Sequence, residues 1–321
     1  MPKISVIIPI YNIEKYIEQC VRSLFEQTLD DIEYIFIDDC SPDNSMDIMR
    51  TVLKEYPHRQ DQVIEITHSQ NQGQAGARTS GMKAMTGNHM IHCDPDDWIE
   101  LDMYETLYNA AIETDSDIVT CDFFIEDTYS AIFHTEAYAS THECLKQFKF
   151  TPHLWNKLIK TDIIRKFAIY PFAGINSGED LNIIIRAYYH SDSIRHISKP
   201  LYHYNRTNIS SITRSNLKQR ILNYSVPNIN LIEDFFKKHS GNDFCILINR
   251  LKWRQKYELL EPKHRDIKLW SSLWPECHKD IHLFGLSKRQ TLIFRLFANC
   301  NFIVWLYTKY IDWRTKQTHK I

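Results

Sequence analysis

Five aspartates in two short runs carry the clearest chemistry in this 321-residue chain: Asp38-Asp39, and Asp94, Asp96 and Asp97. Each run closes a short apolar stretch, residues 33–37 and 89–93. Such stretches read as buried strands, and in an open parallel α/β sheet ligands collect outside the carboxyl ends of the strands. All five carboxylates therefore converge on one rim. So crowded, they repel each other unless a cation or hydrogen-bond donors sit among them. A Mg2+ or Mn2+ carrying phosphate oxygens answers this, because hard cations take both ligand types. The plainer alternative is that an aspartate caps the helix that follows it. Asp43 and Asp102 read that way, whereas three carboxylates within residues 94–97 exceed what a cap requires.

Glycine is scarce, 8 in 321 residues, so its positions are informative. Gly73, Gly76, Gly81 and Gly87 fall within fifteen residues of each other. The segment NQGQAGAR at 71–78 is neither the dinucleotide fingerprint nor a P-loop, and Pro9-Ile10-Tyr11-Asn12 stands where a dinucleotide fold needs glycines. A nicotinamide enzyme is disfavoured. Small residues ahead of Arg78 suit a backbone passing close to a ligand, with a guanidinium for phosphate or ribose. Further on, Gly178-Glu179-Asp180 opens a helix with apolar Leu181, Ile184 and Ile185. Ser177 is its expected N-cap, and the two acids complement the helix dipole. His203, in the aromatic and basic run 201–206, is a weaker metal-ligand candidate.

The elements that must position these groups alternate along the first half. Strands are expected at 3–8, 33–37, 63–67, 89–93 and 117–124, and amphipathic helices at 14–27, 41–56, 74–85 and 101–114. This is the pattern of a parallel α/β sheet. After about residue 215 strand signals fade and helical patterns continue, which divides the chain into 1–215 and 216–321. Hydrophobic residues make up 43% and charged residues 24%, a globular composition. The formal charge of −2 gives no global basic field for nucleic acid. Eight cysteines without a CxxC pair read as small buried hydrophobes, and with no leader-like N-terminus they point to the cytoplasm.

Taken in order, Ser5-Val-Ile-Ile-Pro-Ile-Tyr-Asn12, Ile37-Asp-Asp-Cys-Ser-Pro-Asp-Asn-Ser45, Asn71-x-Gly73-x-Ala75-x-Ala77-Arg78, Thr86 to Ile99 and Gly178-Glu-Asp180 resemble family 2 glycosyltransferases of the GT-A fold, over about residues 3–210. The resemblance implies a Rossmann-like, mostly parallel sheet with flanking helices, its nucleotide-sugar half at about 1–100 and its acceptor half at about 101–215. It also implies metal-dependent, inverting transfer of a hexose such as glucose or galactose from a UDP-sugar. The acceptor would be a glycan or glycolipid of the bacterial surface, such as lipopolysaccharide core. Carried over by residue, Pro9 and Tyr11 line the nucleotide pocket, Asp39 meets the uracil ring, and Arg78 lies near the nucleotide. Asp94-Pro95-Asp96 is the DxD motif, with Asp94 towards the ribose, Asp96 on Mn2+ or Mg2+, and Asp97 adjacent. Asp180 is the general base beside Glu179. Trp155 and Lys157, in Trp155-Asn156-Lys157-Leu158, lie on the acceptor side. Cys40 departs from the family's common glycine after the aspartate pair.

Two rivals remain at this point, a nucleotidyltransferase and a catalytically inactive glycan- or nucleotide-binding module. The first would need a Gly-rich loop with a lysine near the N-terminus, which Pro9-Ile10-Tyr11-Asn12 is not. Finally, residues 285–321 hold seven Lys/Arg against one acid, interleaved with aromatic and aliphatic residues. That profile fits a helix at 286–313 lying on the cytoplasmic surface of the inner membrane, or one packed on protein.

Overall fold

All seven positions of β1 (Ile4–Ile10) are buried. A strand covered on both faces reads as a continuous apolar run, which is why it was legible. In the computed structural model, which describes residues 1–127, 129–134, 140–208, 217–260, 265–299 and 301–318, β1 pairs in parallel with β2 (Ile32–Asp38) and β4 (His89–His92). β2 in turn pairs in parallel with β3 (Val63–Thr67). Helices α1 (Ile17–Phe25), α2 (Ser45–Leu53) and α3 (Gly73–Ala84) supply the crossovers that parallel pairing demands. α1 buries Ile17, Cys20, Val21, Leu24 and Phe25, the face its spacing predicts.

β5 (Trp98–Ile99), α4 (Met103–Thr114), β6 (Ile118–Glu126), β7 (Ser130–Phe133), α5 (Thr141–Gln147), β8 (Lys157–Lys160), α6 (Thr161–Lys166), α7 (Glu179–His190) and β9 (Ile194–Asn205) follow. Among the described residues the sheet runs β3-β2-β1-β4-β8-β6-β9-β5, with β7 added on β6. It is mixed. Parallel pairing covers β1 to β4 and β6 with β9, while β8 lies antiparallel between β4 and β6. That reversal has a purpose for the site: the residues entering β8 arrive at the rim where β4 leaves. Where β6 meets β9 the register slips beside Pro200, which has no N–H to give the ladder.

The opposite rim is held by one buried carboxylate. Glu33 Oε1 accepts from the Ser5 hydroxyl and from the N–H groups of Thr86 and Gly87, and Oε2 accepts from Thr86 Oγ1 at 2.7 Å. These residues sit at the starts of β1, β2 and β4, so the bonds fix the relative height of three parallel strands.

The chain divides into two compact units, Met1–Arg214 and Ser215–Ile321. The second unit is helical throughout its described residues: α8 (Leu217–Arg220), a π-helical turn (Ile221–Ser225), α9 (Val226–Ser240), α10 (Cys245–Tyr257), α11 (Ile267–Ser272), α12 (Lys288–Asn299) and α13 (Asn301–Thr318), with short 3-10 turns between. Trp270, Phe284, Phe297 and Val304 meet in its core. Seven cysteines are free thiols. Two correct the expectation of burial: Cys40 in a turn and Cys245 at the start of α10 are exposed, and Cys300 lies outside the described residues.

Glu33→Ala should lower the free energy of unfolding by about 3 kcal/mol or more, since hydrogen bonds to a charged acceptor contribute about 1.5–3 kcal/mol each. Urea titration followed by circular dichroism measures it.

Candidate active site

A cavity of about 470 Å³ opens in the first unit at the carboxyl ends of β1, β2 and β4. At one end the chain leaves β1 through Pro9, Ile10, Tyr11 and Asn12, all lining it, with Tyr11 half exposed. Beside them lies Asp39, the residue after β2. Its N–H donates to the Ile10 carbonyl at 3.0 Å, so the β1 and β2 exits are tied together. Its Oδ1 accepts from His68 Nδ1 at 2.7 Å and from the Gln72 N–H at 2.8 Å, and Oδ2 accepts from the Gly73 N–H at 2.8 Å. A carboxylate here satisfies donors at the amino end of α3 and complements its dipole. Gly73 has φ +76°, and a Cβ there would lie 2.4 Å from Asn176 Nδ2, so any other residue would be strained and would displace Asn176. Asn176 Oδ1 accepts from the Ala75 N–H at 3.1 Å, joining the loop before α7 to α3. Cys40 takes φ +59°, the left-handed region that the family's glycine favours. A side chain there costs about 1–2 kcal/mol.

The centre of the cavity is ionic. Arg78, in the second turn of α3 and 3% exposed, donates from Nη2 to Asp94 Oδ1 at 2.9 Å and holds Nε 3.3 Å from Glu179 Oε1. Burial works against its charge, but Asp94, Glu179 and Asp180 outweigh burial and raise its pKa above the ordinary value. Its Nη1 has no hydrogen-bond partner among the described residues, although it is buried. Burial, opposed by Arg78, pushes Glu179 up to about 7, and burial also raises Asp180. Asp180 is the more open of the two. α7 begins after Gly178 at φ +79°, which is its N-cap in place of the expected Ser177.

Asp96 accepts from Asn208 Nδ2 at 2.8 Å, and burial followed by the neighbouring Asp94 raises its pKa. Among the described residues no three His, Cys, Asp or Glu side chains form a ligand set. Asp94 and Asp96 nevertheless offer hard oxygen donors to one cavity, and the charge that destabilises Asp96 is what a divalent cation would neutralise. The residues fit such an ion provided that further oxygens come from a ligand.

The rim is less acidic than its sequence. Asp38 turns back to accept from the Ser41 N–H at 2.8 Å. Asp97 is likewise drawn inward: its Oδ2 accepts from the Tyr202 hydroxyl at 2.6 Å and its Oδ1 from the Asn205 N–H at 2.7 Å. Neither lines the cavity. His203 is corrected as a metal ligand. Its Nδ1 lies 2.7 Å from Glu126 and its Nε2 2.8 Å from Glu100, and its ring is stacked between Trp98 and Phe124. Lys157 is fully buried and does not line the cavity, donating to Thr151 Oγ1, the His153 carbonyl and Asn156 Oδ1; burial lowers its pKa to about 7. It holds the segment ahead of β8. Trp155 on that segment does line the cavity, stacked on Tyr202 at 4.2 Å and on His153 at 4.6 Å.

A family model described as glycosyl transferase family 2 matches residues 5–175. The chain belongs to that family. EpsH of Bacillus subtilis (strain 168) is 32% identical over 66% of this chain, which spans 63% of EpsH's own length. Residues 1–349 of Staphylococcus aureus TarS, solved with UDP-GlcNAc, superpose with a TM-score of 0.61 at 18% identity, covering 88% of this chain and 89% of that one. The mannosyltransferase PcManGT of Pyrobaculum calidifontis, solved with GDP-Man and Mn2+, gives 0.52 at 13% identity, covering 96% and 87%. The fold is GT-A.

Three residues lining this cavity carry no sequence signal of their own: Asn176, His153 and Asn208. Tyr204 had a hint, in its alternation with Tyr202 along β9. Asp97→Ala should cost about 2–3 kcal/mol of stability, because two buried donors lose their acceptor. Asp96→Ala should cost less than about 1 kcal/mol. Thermal melts of the two variants give the comparison.

Proposed function

We propose that this cavity binds a nucleotide-diphosphate sugar, a UDP-hexose or UDP-N-acetylhexosamine, and passes the sugar with inversion to a hydroxyl of a surface glycan such as lipopolysaccharide core. The observation that carries this reading is the Asp94–Arg78–Glu179 ion-paired array opening onto Asp96 and Asp180 in one cavity. The nucleotide sugars held by TarS and PcManGT support the donor class. Tyr11 offers a ring face to a base, and the unpartnered Arg78 Nη1 is a donor suited to a diphosphate oxygen. Asp96 and Asp94 would hold a Mn2+ or Mg2+, which stabilises charge developing on the leaving diphosphate.

The remaining chemistry falls to the chain's own groups. As the acceptor hydroxyl attacks the anomeric carbon, it loses its proton to Asp180, and the bond to the diphosphate breaks on the opposite face. One displacement inverts the centre, so no covalent nucleophile is required. His153, Trp155 and Tyr204 line the same cavity as Asp180 and offer aromatic surface suited to the apolar face of an acceptor sugar. Arg78 and Glu179 keep the local charge balanced while the carboxylate of Asp180 gains its proton.

The test couples binding to turnover. Calorimetry should detect UDP binding that strengthens with Mn2+, and chelation should abolish release of UDP from the productive donor. Asp180→Asn should leave UDP affinity within about twofold and lower kcat by about 100-fold or more, the range for losing a general base. Because a raised pKa keeps a carboxyl protonated to higher pH, the acid limb of activity should lie above the ordinary range of Asp. UDP binding without turnover of any UDP-sugar would leave a binding module instead.

The second unit supports a peripheral membrane location. α12 and α13 bury Phe294, Phe297 and Val304, yet also expose Leu292, Leu296, Phe302, Trp305, Leu306 and Tyr310. Positions 302, 305, 306 and 310 recur at helical spacing, so α13 is apolar on two sides. The excess of basic residues in 285–321 matches an anionic surface. Of these, Lys320 lies outside the described residues. Among the described residues no helix is long and apolar enough to cross a membrane. Phe302→Glu with Trp305→Glu should weaken binding to phosphatidylglycerol vesicles by about tenfold or more in sedimentation assays. Equal binding would assign the exposed stripe to a protein partner.

A further inference from the structure

Asp39 is 2% exposed, yet it lines the cavity, so little of its carboxylate is presented to a ligand. A carboxylate has about four acceptor positions. His68 Nδ1 and the Gln72 N–H take two on Oδ1, and the Gly73 N–H takes one on Oδ2. One position on Oδ2 remains. The two backbone donors come with α3, but His68 comes from the residue after β3 and is itself fixed from behind: its Nε2 lies 2.8 Å from Ser80 Oγ, on the second turn of α3 beyond Arg78. The two ring nitrogens thus join the Ser80 hydroxyl to the Asp39 carboxylate, a chain that ends at the cavity wall. It resembles a hydrolytic triad in composition, but here the serine is at the far end from the ligand and the carboxylate faces it.

We infer that His68 is a positioning residue that, backed by Ser80, fixes the Asp39 carboxylate so that a single acceptor position meets the imide N–H of the donor's base. This rests on the proposed nucleotide-sugar reading and extends it to a residue outside the cavity lining. Losing His68 removes one of the two bonds on Oδ1 and leaves the carboxylate held by the Gln72 and Gly73 N–H groups alone, so base recognition weakens while the diphosphate and reacting groups, held by other residues, do not.

The full chain, with Mn2+ present, is titrated calorimetrically with UDP and separately with inorganic pyrophosphate, which has no base. His68→Ala should weaken UDP binding about tenfold, the scale of one hydrogen bond to a charged group, and leave pyrophosphate binding within about twofold. His68→Asn returns an N–H near the place of Nδ1 and should recover most of the loss. Equal weakening for UDP and pyrophosphate, unchanged UDP binding, or no rescue by asparagine would overturn the inference. Should His68→Ala fail to fold, Ser80→Ala decides: about a threefold selective loss for UDP supports it, and no loss overturns it. Asp39→Asn separates the layers. If it leaves UDP affinity intact, the base-reading role of Asp39 fails. If it impairs UDP while His68→Ala does not, only the positioning by His68 fails.

Discussion

A buried guanidinium is the constraint on which the first unit depends. Removing an arginine from water costs several kcal/mol unless opposite charges meet it, and the same is true of each carboxylate around it. Arg78 answers both costs at once, with Asp94 on the exit from β4 and Glu179 at the start of α7. Three elements distant in sequence are thereby required to end at one point. Gly81, three residues beyond Arg78, lets α3 lie close to the strands, since a Cβ there would come within 2.6 Å of Ile7 and 2.7 Å of Ile37. Without that cation, Asp94, Glu179 and Asp180 would be a cluster of like charge in a low dielectric, where neutralisation by protons is the usual escape.

The antiparallel entry of β8 complements this centre. In a purely parallel sheet, the segment ahead of a strand begins at the far rim, away from any ligand. By reversing, β8 brings His153 and Trp155 to the ligand rim, and the three bonds from Lys157 hold that lead-in rigid. Asp39 and Asp94 thus reach the cavity from strand exits, and its aromatic residues from a strand entry and from Tyr204 near the end of β9.

Legibility followed the range of the interactions. β3 was read to the residue, and the inner face of α1 emerged from its spacing, because both patterns are local. Asp39, Arg78, Asp94, Asp96, Asp180 and Trp155 all line the cavity; the first four stood out by their runs, whereas Asp180 and Trp155 were singled out only through the family resemblance. The misreadings among the site residues concern where a side chain turns. Asp38, Asp97 and Lys157 belong to the same runs, but partners brought by other elements pull them inward, and period-two alternation alone does not reveal which neighbour of a pair faces the ligand. His203 lost its metal role to two glutamates, one from β6 and one beside β5. His68 had no signal at all, because its meaning comes from Asp39 and Ser80, twenty-nine and twelve residues away. The antiparallel strands were invisible as such, since pairing direction is a property of the assembled sheet.

Glu33 has a consequence for how such a protein diversifies. Its bonds secure β1, β2 and β4 at their amino ends, away from Pro9, Asp39 and Asp94, which line the cavity at their carboxyl ends. Register is therefore maintained by atoms outside the cavity lining. Substitutions that reshape the loops at the ligand rim leave this anchorage intact, so novelty in specificity and conservation of architecture are assigned to opposite ends of the same strands. A descendant of this chain can change what it recognises without first renegotiating how it folds.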